Sequence, residues 1–214
     1  MNQHAPVFDD VFAETFQTLL RWRRDVRRFR ADPLPDDLLD ELLRLAALAP
    51  SVGNSQPWRF VLVEDQACRR AVRDHFAACN ADALADYAGE RARTYAQLKL
   101  SGMDRAPVQL AGYCDRSTDH GHGLGQKTMP ETLDYSVVMA VHTLWLAARA
   151  RGVGVGWVSI VEPTEIDRIL DAPEGWRFIA YLCVGWPEEE HEDPELVRHG
   201  WQDRIDVEDV IFKR

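Results

Sequence analysis

Six arginines, Arg21, Arg23, Arg24, Arg27, Arg28 and Arg30, fall within one stretch of ten residues. Like charges at that density repel unless several reach carboxylates or an anionic ligand, and a guanidinium fork matches phosphate oxygens two at a time. Two readings follow: some of these side chains pair with the nearby Asp32, Asp36, Asp37 and Glu41, or several converge on a phosphate. Asp25 sits among Arg23, Arg24 and Arg27, which favour its ionised form, while burial would push the other way. Taken alone, Asp25 reads as an ion-pair partner.

A second segment, Ala49 to Trp58 (APSVGNSQPW), strings together small, polar and turn-forming residues. That composition lets backbone amides approach a ligand closely. Gly152, Gly154 and Gly156 superficially match a dinucleotide fingerprint, but no helix N-terminus follows them, so they read as points of tight backbone packing. His120 and His122 have no Cys or carboxylate at ligand spacing, so they read as loop residues and no metal is expected. His142 lies in an apolar helix and reads as a hydrogen-bonded core residue. No G-x-S-x-G elbow or P-loop occurs, which disfavours the commonest hydrolase and NTPase chemistries.

The elements that must position these residues alternate between helix and strand. Residues 9–22 place Val11, Phe12, Phe16, Leu19 and Leu20 at helical spacing and deliver the arginine cluster. Pro33 and Pro35 break the chain, Asp36 and Asp37 can cap, and Leu38, Leu39, Leu42, Leu43, Leu45 and Ala46 make a second helix that ends before Pro50. Trp58–Glu64 and Pro107–Asp115 read as strands, residues 66–79 and 81–100 as helices, and Arg116–Pro130, rich in Gly, as a mobile loop. Asp134–Arg151 is apolar around nearly its whole circumference, which implies burial on all sides in a central or subunit-interface helix. Gly152 ends it; strands Val153–Ile160 and Phe178–Trp186 follow, with a short helix at Pro163–Leu170 between them. The acidic run Glu188–Asp193 reads as a solvated loop. The pattern predicts an α+β or α/β fold in one domain over 1–214.

The composition bounds what this machinery can serve. The chain has 214 residues, 46% of them hydrophobic and 28% charged, with 13 Gly and 11 Pro, which suits a folded globular protein. Its formal net charge of −10 opposes phosphate backbones and anionic membranes, so neither nucleic acid nor a membrane is an expected partner. The N-terminal residues lack a basic segment followed by an apolar run, and no apolar stretch is long enough to span a bilayer. Cys68, Cys79, Cys114 and Cys183 form no C-x-x-C pair and read as reduced, mostly buried thiols, so a cytoplasmic location is expected.

Arg23-Arg24-Asp25-Val26-Arg27, APSVGNSQPWRFVLV at 49–63 and GVGVGWVSI at 152–160 together resemble the nitroreductase-like flavoprotein superfamily over nearly the whole chain. The paired arginines and the PS-x-x-N-x-QPW loop are shared by ordinary nitroreductases. Asp25, where a nitroreductase usually has Ser or His, and GWVSI ending in Ser159 resemble instead a branch in which reduced FMN is itself consumed with oxygen. Its products are 5,6-dimethylbenzimidazole, the lower-ligand base of cobalamin, and erythrose 4-phosphate. LWLAARARGVGVGWVSI and GWQDRIDVEDVIF near the terminus resemble the same branch.

The resemblance implies an α+β homodimer with a central, mostly antiparallel sheet flanked by helices and with FMN at the subunit interface. Carried over position by position, Arg23, Arg24 and Arg27 hold the FMN phosphate and ribityl chain, with Val26 beside them and Arg204 as a further phosphate contact. Pro50, Ser51, Val158 and Ser159 approach the isoalloxazine, and Lys99 lies on a covering helix. Asp25 and Ser159 are the catalytic positions, Asp25 moving a proton near the ribityl C1′ and Ser159 donating a hydrogen bond to the ring. A separate flavin reductase is the expected source of reduced FMN. Two other readings stand: an NAD(P)H-dependent nitroreductase or flavin reductase, for which the shared loops suffice, and a non-catalytic flavin-binding protein.

Overall fold

The computed structural model describes residues 5–98 and 102–214. Asp9 opens the first helix by accepting the Phe12 N–H at 2.9 Å, and α1 runs Asp10–Trp22. Helix α2 spans Asp36–Ala46, and a single 3-10 turn at Val52–Asn54 leads into strand β1 (Trp58–Leu62). Asp65 caps α3 (Gln66–Ala85) by accepting the N–H groups of Ala67 and Cys68. Then come α4 (Gly89–Gln97), β2 (Val108–Asp115), α5 (Thr132–Ala150), β3 (Gly154–Val158), α6 (Pro163–Leu170), β4 (Trp176–Gly185) and the one-turn helix α7 (Glu195–Arg198).

The strands form one sheet, order β1-β2-β4-β3, and every pair is antiparallel. Side chains alternate across it, as the pleat demands. Leu110, Ala180, Leu182 and Val184 face α2 and α5, packing with Leu42, Ala46, Val141 and Leu144. Tyr113, Tyr181 and Cys183 face the other way, onto Val72 and Phe76 of α3 and Ile166 of α6. The sheet is therefore covered on both faces, the α+β arrangement expected.

Several sequence expectations shift. The break expected near Asn80 falls at 86–88, because Ala81, Ala83 and Ala85 are strong helix formers and carry α3 through to the Asp86 cap. Helix α5 is not buried on all sides. Its inner stripe, Val137, Ala140, Val141, Leu144 and Ala148, meets the sheet, while Tyr135, Val138 and Met139 are exposed among the described residues. The 116–130 loop packs closely: a Cβ on Gly121 would lie 2.6 Å from the Gly53 carbonyl oxygen, so the glycine lets this loop rest on the 51–56 turn.

The acidic run lies at the surface as expected, but ion pairs tie it down. Glu188 pairs with Arg105 at 2.6 Å, Glu189 with Arg28, and Glu190 with Arg149, while the Glu192 carbonyl accepts from Arg24 Nε at 2.6 Å. Arg24 and Arg28 of the N-terminal cluster hold part of this segment, and Arg105 and Arg149 hold the rest. Of the nearby acids expected to pair with the cluster, Asp32 does so, through Arg30 at 2.7 Å. Among the described residues no helix is long and apolar enough to cross a membrane.

Candidate active site

The arginine segment leaves α1 at Arg23 and is sewn along the rim of the sheet. Asp25 pairs with Val155 as an isolated parallel bridge, the Val26 N–H donating to the Val155 carbonyl at 3.0 Å. Further on, the Arg30 N–H reaches the Trp186 carbonyl at 2.8 Å, and Phe29 is fully buried. Two glycines of β3 make this seating possible. A Cβ on Gly154 would meet Val26 Cγ2 at 2.7 Å, and one on Gly156 would lie 2.1 Å from the Val26 carbonyl oxygen. Gly154 and Gly156 thus serve close backbone packing, as expected, whereas a Cβ on Gly152 would meet nothing within 4 Å and that glycine instead takes the positive φ of 71° at the end of α5.

This docking fixes Asp25. Its Oδ1 accepts the Trp157 N–H at 2.9 Å, and Oδ2 accepts from Arg27 Nε at 3.2 Å. Burial is the largest influence on the carboxyl and pushes its pKa above the ordinary value, although the Trp157 N–H and Arg27 pull it down. The local arginines therefore do not dominate. Asp25 still opens onto solvent-accessible space, with 36% of its side chain exposed.

That space is a cavity of about 440 Å³ lined by Asp25, Arg27, Phe76, Trp145, Trp157, Val158, Ser159 and Ile160. The size and the mixture of aromatic walls with a few polar groups suit a planar ring. Ser159 stands just past the end of β3, exposed to the cavity, and Val158 is the buried last residue of that strand. Arg27 is nearly buried, and its Nη1 has no hydrogen-bond partner, a donor that a bound acceptor would satisfy. Arg23 stacks its guanidinium 5.1 Å from the centre of the Trp145 ring at the cavity wall.

Arg24 lines a narrower cleft with Trp22, Arg149 and the acidic run, one that shares the Asp25, Arg27 and Trp145 walls of the larger cavity. Burial lowers its pKa most, with Arg23 and then Arg204 repelling its charge. The C-terminal Arg204 is thereby drawn into the field of the N-terminal cluster. Val26 packs beneath the segment and does not line the larger cavity. Pro50 and Ser51 are also absent from that wall: Ser51 Oγ accepts the Gln56 N–H at 3.0 Å, and the adjoining Val52 N–H donates to Ser136 of α5. Lys99 lies outside the described residues. Sequence reasoning missed Phe76, Trp145 and Trp157 as cavity walls, because within apolar elements they are indistinguishable from core.

The chain belongs to the nitroreductase family, whose profile matches residues 20–186. Within that family it belongs with the 5,6-dimethylbenzimidazole synthases. It is 59% identical over 200 residues to the synthase of Rhodospirillum rubrum, covering 94% of this chain and 95% of that relative. It is 47% identical over 201 residues to one from Rhodobacter capsulatus, covering 94% and 97%. A crystal structure of oxidized iodotyrosine deiodinase bound to FMN and 3-iodo-L-tyrosine shares the fold, with a TM-score of 0.68 at 25% identity over 82% of this chain and 91% of that one.

Proposed function

We propose that this enzyme converts reduced FMN and oxygen into 5,6-dimethylbenzimidazole and erythrose 4-phosphate, with the pyrimidine part of the isoalloxazine released as a separate fragment. The observation that carries the reading is that Asp25 and Ser159 open into one aromatic-walled cavity beside a buried guanidinium N–H of Arg27 that lacks an acceptor. FMN fits that vacancy in chemistry, a flat aromatic ring joined to a phosphate, and when bound and reduced it supplies both the electrons for oxygen and the carbon skeleton of the product.

The chain's own residues divide the remaining work. Arg23, Arg24, Arg27 and Arg204 hold the phosphate and ribityl chain, and keep the four-carbon phosphorylated remainder in place after cleavage. Val26 sets the height of that segment through its seat on β3. Val158 packs against the ring, and Ser159 donates a hydrogen bond to it. Asp25, with a proton affinity raised by burial, takes up or delivers a proton at the ribityl C1′ as the bond from C1′ to C2′ is broken. Proton transfer by a positioned carboxyl accelerates such a step by about 10²- to 10⁴-fold. Trp145, Trp157 and Phe76 exclude water from the reacting atoms.

Pro50, Ser51 and Lys99 complete the ring site, the first two from a second copy of the chain, since in one copy they stand apart from the cavity. The exposed apolar faces of α1 and α5 support that homodimer. A separate flavin reductase delivers reduced FMN, and the free cysteines suit a reducing cytoplasm.

The test is to mix the protein anaerobically with chemically reduced FMN, admit oxygen, and look for 5,6-dimethylbenzimidazole by mass. Its formation supports the reading. Quantitative return of oxidised FMN, or steady NADH consumption with a nitroaromatic and no benzimidazole, overturns it.

A further inference from the structure

Glu195 is the first residue of the one-turn helix α7, 167 positions from Arg28 in sequence, yet the fold inserts its carboxylate into the arginine segment. Only 8% of its side chain is exposed. Its Oε2 lies 3.8 Å from Arg27 Nε, and its Oε1 lies 3.5 Å from Arg28 Nη1 and 3.6 Å from His199 Nε2. The same Arg27 Nε that faces Glu195 is bonded to Asp25 at 3.2 Å. Two carboxylates therefore draw on one guanidinium, and one unit of positive charge cannot neutralise both.

We propose that Glu195 is a positioning residue for Asp25: by competing for Arg27 it leaves the Asp25 carboxylate incompletely neutralised and so governs when Asp25 holds a proton. The inference rests on the proton-transfer role given to Asp25 above. The other groups facing Asp25 cannot do the same. Trp157 of β3 offers a neutral N–H. Cys183 of β4 has its thiol pushed up to about 12 by burial and stays uncharged. On Asp25's own segment, Arg27 is the cation in dispute. Glu195 alone among these brings a negative charge, and its repulsion adds to the burial that already favours the protonated form.

The alternative is that Glu195 merely neutralises arginines. Both arginines near it keep another partner, because Arg28 also pairs with Glu189 and Arg27 with Asp25. Glu195→Gln should consequently fold, and the structural role predicts no change at Asp25 once folding is secured. The coupling role predicts that Glu195→Gln releases Arg27 to Asp25 and lowers the Asp25 titration midpoint, while Glu195→Asp, which keeps the charge, restores it.

The experiment follows the Asp25 carboxyl carbon by NMR through a pH titration of the full-length, FMN-free protein, wild type against Glu195→Gln and Glu195→Asp. The expected result is a downward shift of about half a pH unit or more in Glu195→Gln, reversed in Glu195→Asp. The corresponding limb of the pH profile for benzimidazole formation should move the same way. An Asp25 midpoint unchanged in Glu195→Gln overturns the proposal. If the midpoint shifts but wild type makes no benzimidazole from reduced FMN and oxygen, the coupling stands and the proposed reaction falls.

Discussion

Asp25 is held ionised by two donors and pushed toward neutrality by its surroundings, and the second influence wins. A carboxyl whose folded pKa is raised binds more protons in the native than in the unfolded chain between the ordinary value of 3.8 and its raised value. Folding stability therefore falls as pH rises through that window and stays reduced above it. Asp25→Asn removes the cost, so thermal unfolding of the FMN-free variant should occur at higher temperature than wild type at pH 7. The advantage should vanish once pH drops below the ordinary carboxyl range. The same variant should bind FMN and lose benzimidazole formation by about 10²-fold or more; an unchanged rate would remove Asp25 from the chemistry. Arg27 allows a second prediction. Its unsatisfied Nη1 depends on the planar fork, which lysine lacks, so Arg27→Lys should weaken FMN binding by about tenfold or more in a fluorescence titration. At this scale the sequence carried the cluster itself, because all six arginines and Asp25 lie within ten residues. It could not carry Glu195, whose role exists only after the chain has folded back on itself.

Among the elements, β3 matters less as a strand than as a seat. Its two inward glycines have no side chain where the arginine segment crosses, and Gly156 faces backbone, which cannot swing aside as a flexible side chain would. Gly156→Ala must displace Val26 and with it the pairing of Asp25 to Trp157. Urea unfolding should report a loss of about 1–3 kcal/mol, the range typical of overpacking. FMN affinity should fall in the same variant, although residue 156 is absent from the lining of the larger cavity; retained affinity would mean that the segment tolerates a new height. The glycine pattern was legible as close packing because no helix follows it. What was packed there was not legible, since Val26 lies more than a hundred residues upstream. The acidic run lies at the surface as expected, but its ion pairs were not legible, for a related reason. Read locally it has no cations to pair with, and its partners Arg24, Arg28, Arg105 and Arg149 come from three distant stretches of chain.

The whole molecule, taken as a single copy, leaves too much apolar surface uncovered. Helix α1 has no buried residue; Phe12 and Phe16 stack along it with ring centres 6.3 Å apart, Phe8 just ahead of it lies tilted 4.6 Å from Phe12, and all three are exposed. Val138 and Met139 of α5 are also exposed, as are Val210, Ile211 and Phe212 at the C-terminus. The linked rings of Phe8, Phe12 and Phe16 form an exposed apolar patch, the kind of surface that proteins use for interfaces. A self-complementary, isologous contact between two copies buries one such surface against another. The sequence signalled this through the all-round apolarity of α5, which suggested either burial or an interface; one copy covers only the inner stripe. The site points the same way, because Pro50 and Ser51, the ring contacts expected from the family resemblance, are missing from the cavity wall that Asp25 and Ser159 share. If a second copy supplies them, assembly and FMN binding are a single event. Val138→Asp alters a side chain that is 40% exposed, so the fold of each copy should survive, with unchanged far-ultraviolet circular dichroism. If the two copies assemble this way, light scattering should find wild type as a dimer and the variant as a monomer, and FMN affinity should drop in parallel. A monomeric variant that bound FMN as tightly as wild type would place Pro50 and Ser51 outside the site and confine the chemistry to one chain.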